Sequence, residues 1–184
     1  MKKPEKKRIA VFCGSSIGLD PLYTQSCIAF TKVLADRNIG LVYGGGNVGL
    51  MGVLADEMLR LGGEVTGVIP LKLVEIELAH RGCTNLHIVS SMHERKALMA
   101  KLSDAFIALP GGIGTLEELF EVFTWLQLGY HHKPVGILNV NGFYDLLLDF
   151  LKQLVGQGFI LQDQFDRLIV LNKPEDLTRL LCKI

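Results

Sequence analysis

The sequence predicts an α/β fold, doubly wound, with a mostly parallel sheet of about seven strands and helices on both faces. Two observations carry this. About seven short apolar runs alternate with segments of helical periodicity, the pattern of strand–helix–strand crossovers. Three of the runs end directly in glycine-rich turns, at Gly14-Ser15-Ser16, Gly44-Gly45-Gly46 and Gly111-Gly112-Ile113-Gly114. Turns that follow parallel strands gather at the carboxyl edge of the sheet, where open α/β sheets bind their ligands. With 184 residues and 49% hydrophobic content, residues 1–184 read as one nucleotide-binding domain with residues 1–7 as a flexible basic tail.

In chain order, Ile9 to Cys13 is a buried strand running into Gly14-Ser15-Ser16, which offers pliable backbone and two hydroxyls. Asp20 caps the next helix, with Pro21 at its first position. Gly40 to Tyr43 is the second strand, Leu50 to Leu61 a helix stopped by Gly62-Gly63, and Glu64 to Ile69 the third strand. Residues 71–83 have no clear periodicity; Glu75, Glu77, His80 and Arg81 there either line a ligand or face water, and solvent is the default for such side chains. Leu86 to Val89 is a fourth strand, and Met92 opens a helix that runs to Leu102. Ala105 to Leu109 is the central strand, followed by a helix to Leu128. Val135 to Asn139 and Leu168 to Leu171 are the last strands. Between them Leu146, Leu147, Phe150, Leu151 and Leu154 form the apolar stripe of an amphipathic helix.

The stretch Pro110 to Glu118 is the organising motif. Glycines let a backbone approach a ligand and aim its N–H groups at it, and a helix N-terminus favours an anion such as phosphate. Thr115 reads as the N-cap, with Glu118 three residues on as in a capping box. Glu118 then either caps the helix or does chemistry on a part of the ligand away from the phosphate. Arg95 and Lys96 lie near a helix N-terminus, where cations oppose the dipole. Residues placed against local preference are expected at functional sites, which points to an anionic partner.

Other classes fall away. Gly44 to Gly49 departs from the dinucleotide fingerprint, no Gly-Lys-Ser/Thr follows any turn, and there is no Gly-x-Ser-x-Gly elbow. His93-Glu94 lacks the second histidine of a zinc motif, Ala97 standing in its place, so no metal is expected. Lys plus Arg equals Asp plus Glu at 19 each, so no net field draws the chain to nucleic acid or membrane. Cys13, Cys27, Cys83 and Cys182 are scattered, as suits reduced thiols in a cytoplasmic protein. A carboxylate with a nearby cation suits bond cleavage through a sugar oxocarbenium ion. The residues alone thus indicate a phosphosugar or nucleotide site with a carboxylate.

Pro110-Gly111-Gly112-x-Gly114-Thr115-x-x-Glu118, with Met92-His93-Glu94-Arg95-Lys96 upstream, closely resembles the Lonely Guy family of cytokinin-activating phosphoribohydrolases, whose members are often labelled lysine decarboxylases. The resemblance runs from Ile9 to roughly Leu148 and includes Phe12 to Ser16, Val42 to Gly46, Gly49 to Gly52 and Thr124 to Gly129. It implies a Rossmann-like fold and hydrolysis of the N-glycosidic bond of a nucleoside 5′-monophosphate, AMP or an N6-prenylated analogue, to free base and ribose 5-phosphate. By this resemblance Arg95 and Glu118 are the catalytic pair, and Gly111, Gly112, Gly114 and Thr115 hold the phosphate. Ser15, Gly45, Met92, Lys96 and Glu117 are substrate contacts, and Glu77 aligns with a glutamate that contacts base or ribose. It implies no cofactor, and a homodimer or larger assembly with the site near the interface. Phe120, Phe123 and Trp125 then either face a partner or pack in the core. A non-catalytic carrier of nucleotide or cofactor, and a nucleosidase for other monophosphates, are the competing classes.

Overall fold

The computed structural model describes residues 6–74, 76 and 78–184. In chain order its elements are β1 (Arg8–Phe12), α1 (Pro21–Asp36), β2 (Gly40–Tyr43), α2 (Gly49–Arg60), β3 (Val65–Pro70), β4 (Asn85–Val89), α3 (Met92–Leu102), β5 (Ala105–Ala108), α4 (Ile113–Gln127), β6 (Val135–Leu138), α5 (Asp145–Gly156), α6 (Gln162–Phe165), β7 (Leu168–Leu171) and α7 (Thr178–Leu181). The seven strands form one sheet in the order β4-β3-β2-β1-β5-β6-β7, and every pairing is parallel. The expected doubly wound architecture is therefore observed.

Why the strands read as unbroken apolar runs is visible in their side chains. Successive residues of a strand point to opposite faces, and both faces are covered here. Ile9 and Val11 join Leu41, Tyr43 and Ile107 in a core layer with Phe30 and Leu34 of α1 and Leu54 and Met58 of α2. Ala10 and Phe12 join Val42, Phe106 and Ala108 in the opposite layer, against Met99 of α3, Leu119 and Phe123 of α4 and Leu148 of α5.

The chain winds outward from β1 to β4 and returns to β5 on the other side of β1. The switch point thus lies between β1 and β5, whose register pairs Phe12 with Ala108. Both strands end level, so their glycine turns start side by side, and the Gly14 N–H donates to the Pro110 carbonyl at 3.1 Å. Asp20 caps α1, accepting the Leu22 N–H, and Pro21 opens the helix, as expected.

Two expectations are revised. In α5 the core side is Leu148 and Leu151, whereas Leu146 is 86% and Phe150 54% exposed. Tyr144 sets this rotation: its hydroxyl donates to the Leu109 carbonyl and its N–H to Asn139 Oδ1, both at 2.7 Å. Lys6 and Lys7 are held by the fold, the Lys6 ammonium lying 3.8 Å from Glu64. The Lys7 carbonyl accepts the Gly40 N–H, and its ammonium pairs with Asp104 at 3.3 Å; residues 1–5 lie outside the described residues.

Candidate active site

The organising turn enters its helix earlier than its sequence suggests. Gly112 is the N-cap residue, in extended conformation, and α4 begins at Ile113. The Gly112 carbonyl accepts the Leu116 N–H at 3.2 Å. Thr115 therefore lies inside the first turn, buried, and does not cap the helix. Its side chain packs against Gly111, where a Cβ would overlap Thr115 Oγ1. The expected capping box is thus absent, because the glycines let the chain turn in before Thr115. Glu118 stands in the second turn, beyond the end whose N–H groups need partners. The capping account of Glu118 falls with it.

On the facing side, Ser91 caps α3 by accepting the Glu94 N–H at 3.1 Å, and Glu94 accepts both the N–H and the hydroxyl of Ser90. His93-Glu94 is therefore a helix start. Arg95, only 5% exposed, reaches the turn after β2 and the backbone of β3. Its Nε donates to the Val68 carbonyl and its Nη2 to the Gly44 carbonyl, each at 3.1 Å; Nη1 lies 3.7 Å from Met92 Sδ. Gly44 is a residue whose role the sequence did not single out: a Cβ there would overlap Arg95 Nη2. Its signal was a glycine surplus beyond what a turn requires.

Between these elements lies a cleft of about 240 Å³. Arg95, Glu117 and Glu118 line it together with Ser15, Gly112, Gly114 and Thr115. Met51, Leu73 and Met92 supply an apolar wall, Ile113 stands at 83% exposure on its border, and Cys13 completes the lining. Burial, and then the charges of Cys27 and Glu118, push the Cys13 thiol well above its usual range. It serves the cleft as a neutral thiol and not as a nucleophile. Cys13, Met51, Leu73 and Ile113 were not predicted, since apolar residues near strand and helix ends carry no chemical signature.

Eight of the residues expected at the site converge on this cleft: Ser15, Met92, Arg95, Gly112, Gly114, Thr115, Glu117 and Glu118. Three others stand behind it. Gly111 borders an adjoining apolar hollow of about 270 Å³ that shares Ser15 and Gly112 with the cleft. The Gly45 carbonyl accepts the His80 N–H at 2.9 Å. Lys96, 9% exposed, turns its ammonium to Glu117 and to Glu121, the latter at 3.1 Å. Burial disfavours the charge of Lys96, but hydrogen bonds to Glu117 and Glu121 outweigh it and raise its pKa. Glu77 and Glu75 lie outside the described residues.

His80 departs from the solvent expectation. It is 7% exposed, its Nε2 lies 2.9 Å from Asp56 Oδ1, and its Nδ1 accepts the Gly82 N–H. With the adjoining Ala79–Gly46 bridge it fastens residues 78–80 to the second glycine turn. Arg81 is exposed, as expected. Phe123 is buried in the core, and Phe120 and Trp125 pack partly against it.

Comparison with known proteins adds the following. Residues 51–181 match a family model described as "Possible lysine decarboxylase". The chain is 50% identical to the cytokinin riboside 5′-monophosphate phosphoribohydrolase LOG7 of Arabidopsis thaliana, over 94% of this chain and 78% of the relative. It is likewise 50% identical to the cytokinin riboside 5′-monophosphate phosphoribohydrolase LOG of Oryza sativa subsp. japonica, over 91% and 69%. Among solved structures, the molybdenum cofactor binding protein of Rippkaea orientalis aligns with a TM-score of 0.72 at 20% identity, covering 98% of each chain. At that identity the likeness is one of fold.

Proposed function

The chain belongs to the Lonely Guy family, that of the cytokinin riboside 5′-monophosphate phosphoribohydrolases, and from that premise we propose that it hydrolyses the N-glycosidic bond of nucleoside 5′-monophosphates. The products are free base and ribose 5-phosphate, and the substrates are AMP, N6-prenylated adenosine monophosphates, or both. The observation that carries this reading is the convergence of Arg95 and Glu118 on one cleft at the N-terminus of α4. The N–H groups of the first turn of α4, with the hydroxyls of Thr115 and Ser15, receive the phosphate. As the C1′–N bond breaks, the sugar becomes an oxocarbenium ion. Glu118 stabilises that cation and orients the water whose oxygen bonds to C1′. The base leaves with the bonding electrons and takes up the proton that the attacking water gives up, and Arg95 balances the charge of the anionic ligand.

A pyridoxal decarboxylase does not fit these residues. Such an enzyme needs a Schiff-base lysine, whereas among the described residues no lysine lines the cleft and the neighbouring Lys96 is engaged by two carboxylates. A homodimer is supported by Ile113, which stands 83% exposed on the border of the cleft. A cytoplasmic setting is supported by four free cysteines. Among the described residues no helix is long and apolar enough to cross a membrane.

The deciding experiment measures base release from AMP, N6-prenylated AMP and adenosine. Turnover of the monophosphates with adenosine left intact is expected, since the nucleoside leaves the phosphate cradle empty. Equal turnover of adenosine and AMP overturns the reading.

A further inference from the structure

Lys96 follows Arg95 on α3, and Glu117 precedes Glu118 on α4. The Lys96 ammonium meets Glu117, and at 3.1 Å it meets Glu121 one helical turn further on. Two carboxylates spaced four residues apart on a helix repel each other, and here a single buried cation sits against both. The sequence neighbours of the proposed catalytic groups are thus joined by one ion-pair cluster that bridges the two helices. The Lys96 side chain is 9% exposed and absent from the cleft lining, while Glu117 lines the cleft at 50% exposure. Glu121, at 24%, has an oxygen whose nearest compensation is this ion pair.

We infer that Lys96 is a positioning residue for the hydrolysis: it locks α3 to α4 and so fixes the placement of Arg95 relative to Glu118, without touching the substrate. This rests on the proposed phosphoribohydrolase activity. Charge is what the role requires. Removing it leaves two carboxylates facing each other with no cation between them, and α4 relaxes away from α3. A displacement on the order of 1 Å at reacting groups costs on the order of 100-fold in rate.

The test uses the full chain with AMP as substrate and compares the wild type with Lys96→Met, Lys96→Arg, Glu121→Gln and the Lys96→Met/Glu121→Gln double variant. Wild-type base release establishes the activity first; its absence overturns the activity and leaves the ion-pair cluster to be judged by melting temperature. Given an active wild type, Lys96→Met is expected to lower kcat on the order of 100-fold with KM within about threefold, as befits lost alignment and not lost binding. Lys96→Arg restores most of the rate, because a cation again spans the carboxylates. The double variant is no slower than Lys96→Met, since the two residues act through one contact. A raised KM with unchanged kcat overturns the inference, because Lys96 would then hold the substrate directly. An unchanged kcat in Lys96→Met overturns it too. Should Lys96→Met fail to fold, Lys96→Arg and Glu121→Gln decide: normal kcat in Glu121→Gln together with a Lys96→Arg enzyme as impaired in KM as in kcat overturns it.

Discussion

Arg95 and Gly44 meet closely: Nη2 donates to the Gly44 carbonyl at 3.1 Å, and a Cβ on Gly44 would clash with that nitrogen. The second glycine turn is therefore shaped for the arginine as well as for any ligand. A buried cation needs compensation, and here the carbonyls of Gly44, just after β2, and of Val68, within β3, supply part of it.

Gly44→Ala is accordingly expected to cost activity far more than stability. The overlapping atom is the far end of a flexible side chain, so the strain is relieved when Arg95 swings away from the Gly44 and Val68 carbonyls. Base release from AMP should fall on the order of 100-fold in kcat/KM, with a stability loss of about 1 kcal/mol. Gly156→Ala, where an added Cβ meets open space, should leave both unchanged. Full activity in Gly44→Ala would show that Arg95 works from another position.

Glu118→Gln separates chemistry from architecture. Glu118 lies beyond the capping positions of α4, so the isosteric amide should leave the melting temperature nearly where it was. Removing the charge that stabilises the oxocarbenium ion should lower kcat on the order of 100-fold or more, with nucleotide affinity level or improved. Calorimetric titration with AMP beside steady-state base release makes the comparison. A variant with near-normal kcat would refute the assignment.

His131 makes stability depend on pH. Its Nε2 donates to the Val122 carbonyl at 2.9 Å and its Nδ1 accepts the Lys133 N–H, so the folded ring is neutral. Burial lowers its pKa below the ordinary 6.5, and the bond to Val122 offsets only part of this. As pH falls the unfolded chain takes up the proton first. The stabilisation is therefore complete above the ordinary value and is lost as pH falls through the depressed one. Melting temperature should drop between about pH 7.5 and about pH 5.5, and His131→Gln should flatten that drop. An identical slope in the two proteins would assign the effect elsewhere.

Chelation should leave turnover unchanged. Glu94 is engaged by Ser90 at the start of α3, and among the described residues no histidine lines the cleft beside Glu117 and Glu118. Activity lost in EDTA and restored by a divalent cation would contradict this.

The sequence by itself determined the architecture and the edge of the sheet that carries the site. Both depend on signals a few residues long: apolar runs of strand length, helical periodicity, and glycines directly after a strand. The same local logic singled out Arg95 and Lys96 as cations at a helix start and left Glu118 between capping and chemistry; the pairing of Arg95 with Glu118 came from the family resemblance. Tertiary structure alone decided what surrounds them. Arg95 reaches Gly44 across 51 positions and Lys96 reaches Glu117 across 21, so neither partner is visible from its own neighbourhood. His80 looks solvent-facing in sequence and is buried only because residues 78–80 fold back onto the second glycine turn. Even the start of α4 moved from Thr115 to Gly112, because packing of Thr115 against Gly111 outweighed the capping preference of a threonine. Local propensity is worth about 1 kcal/mol or less at such positions, and contacts between distant segments decide where it yields.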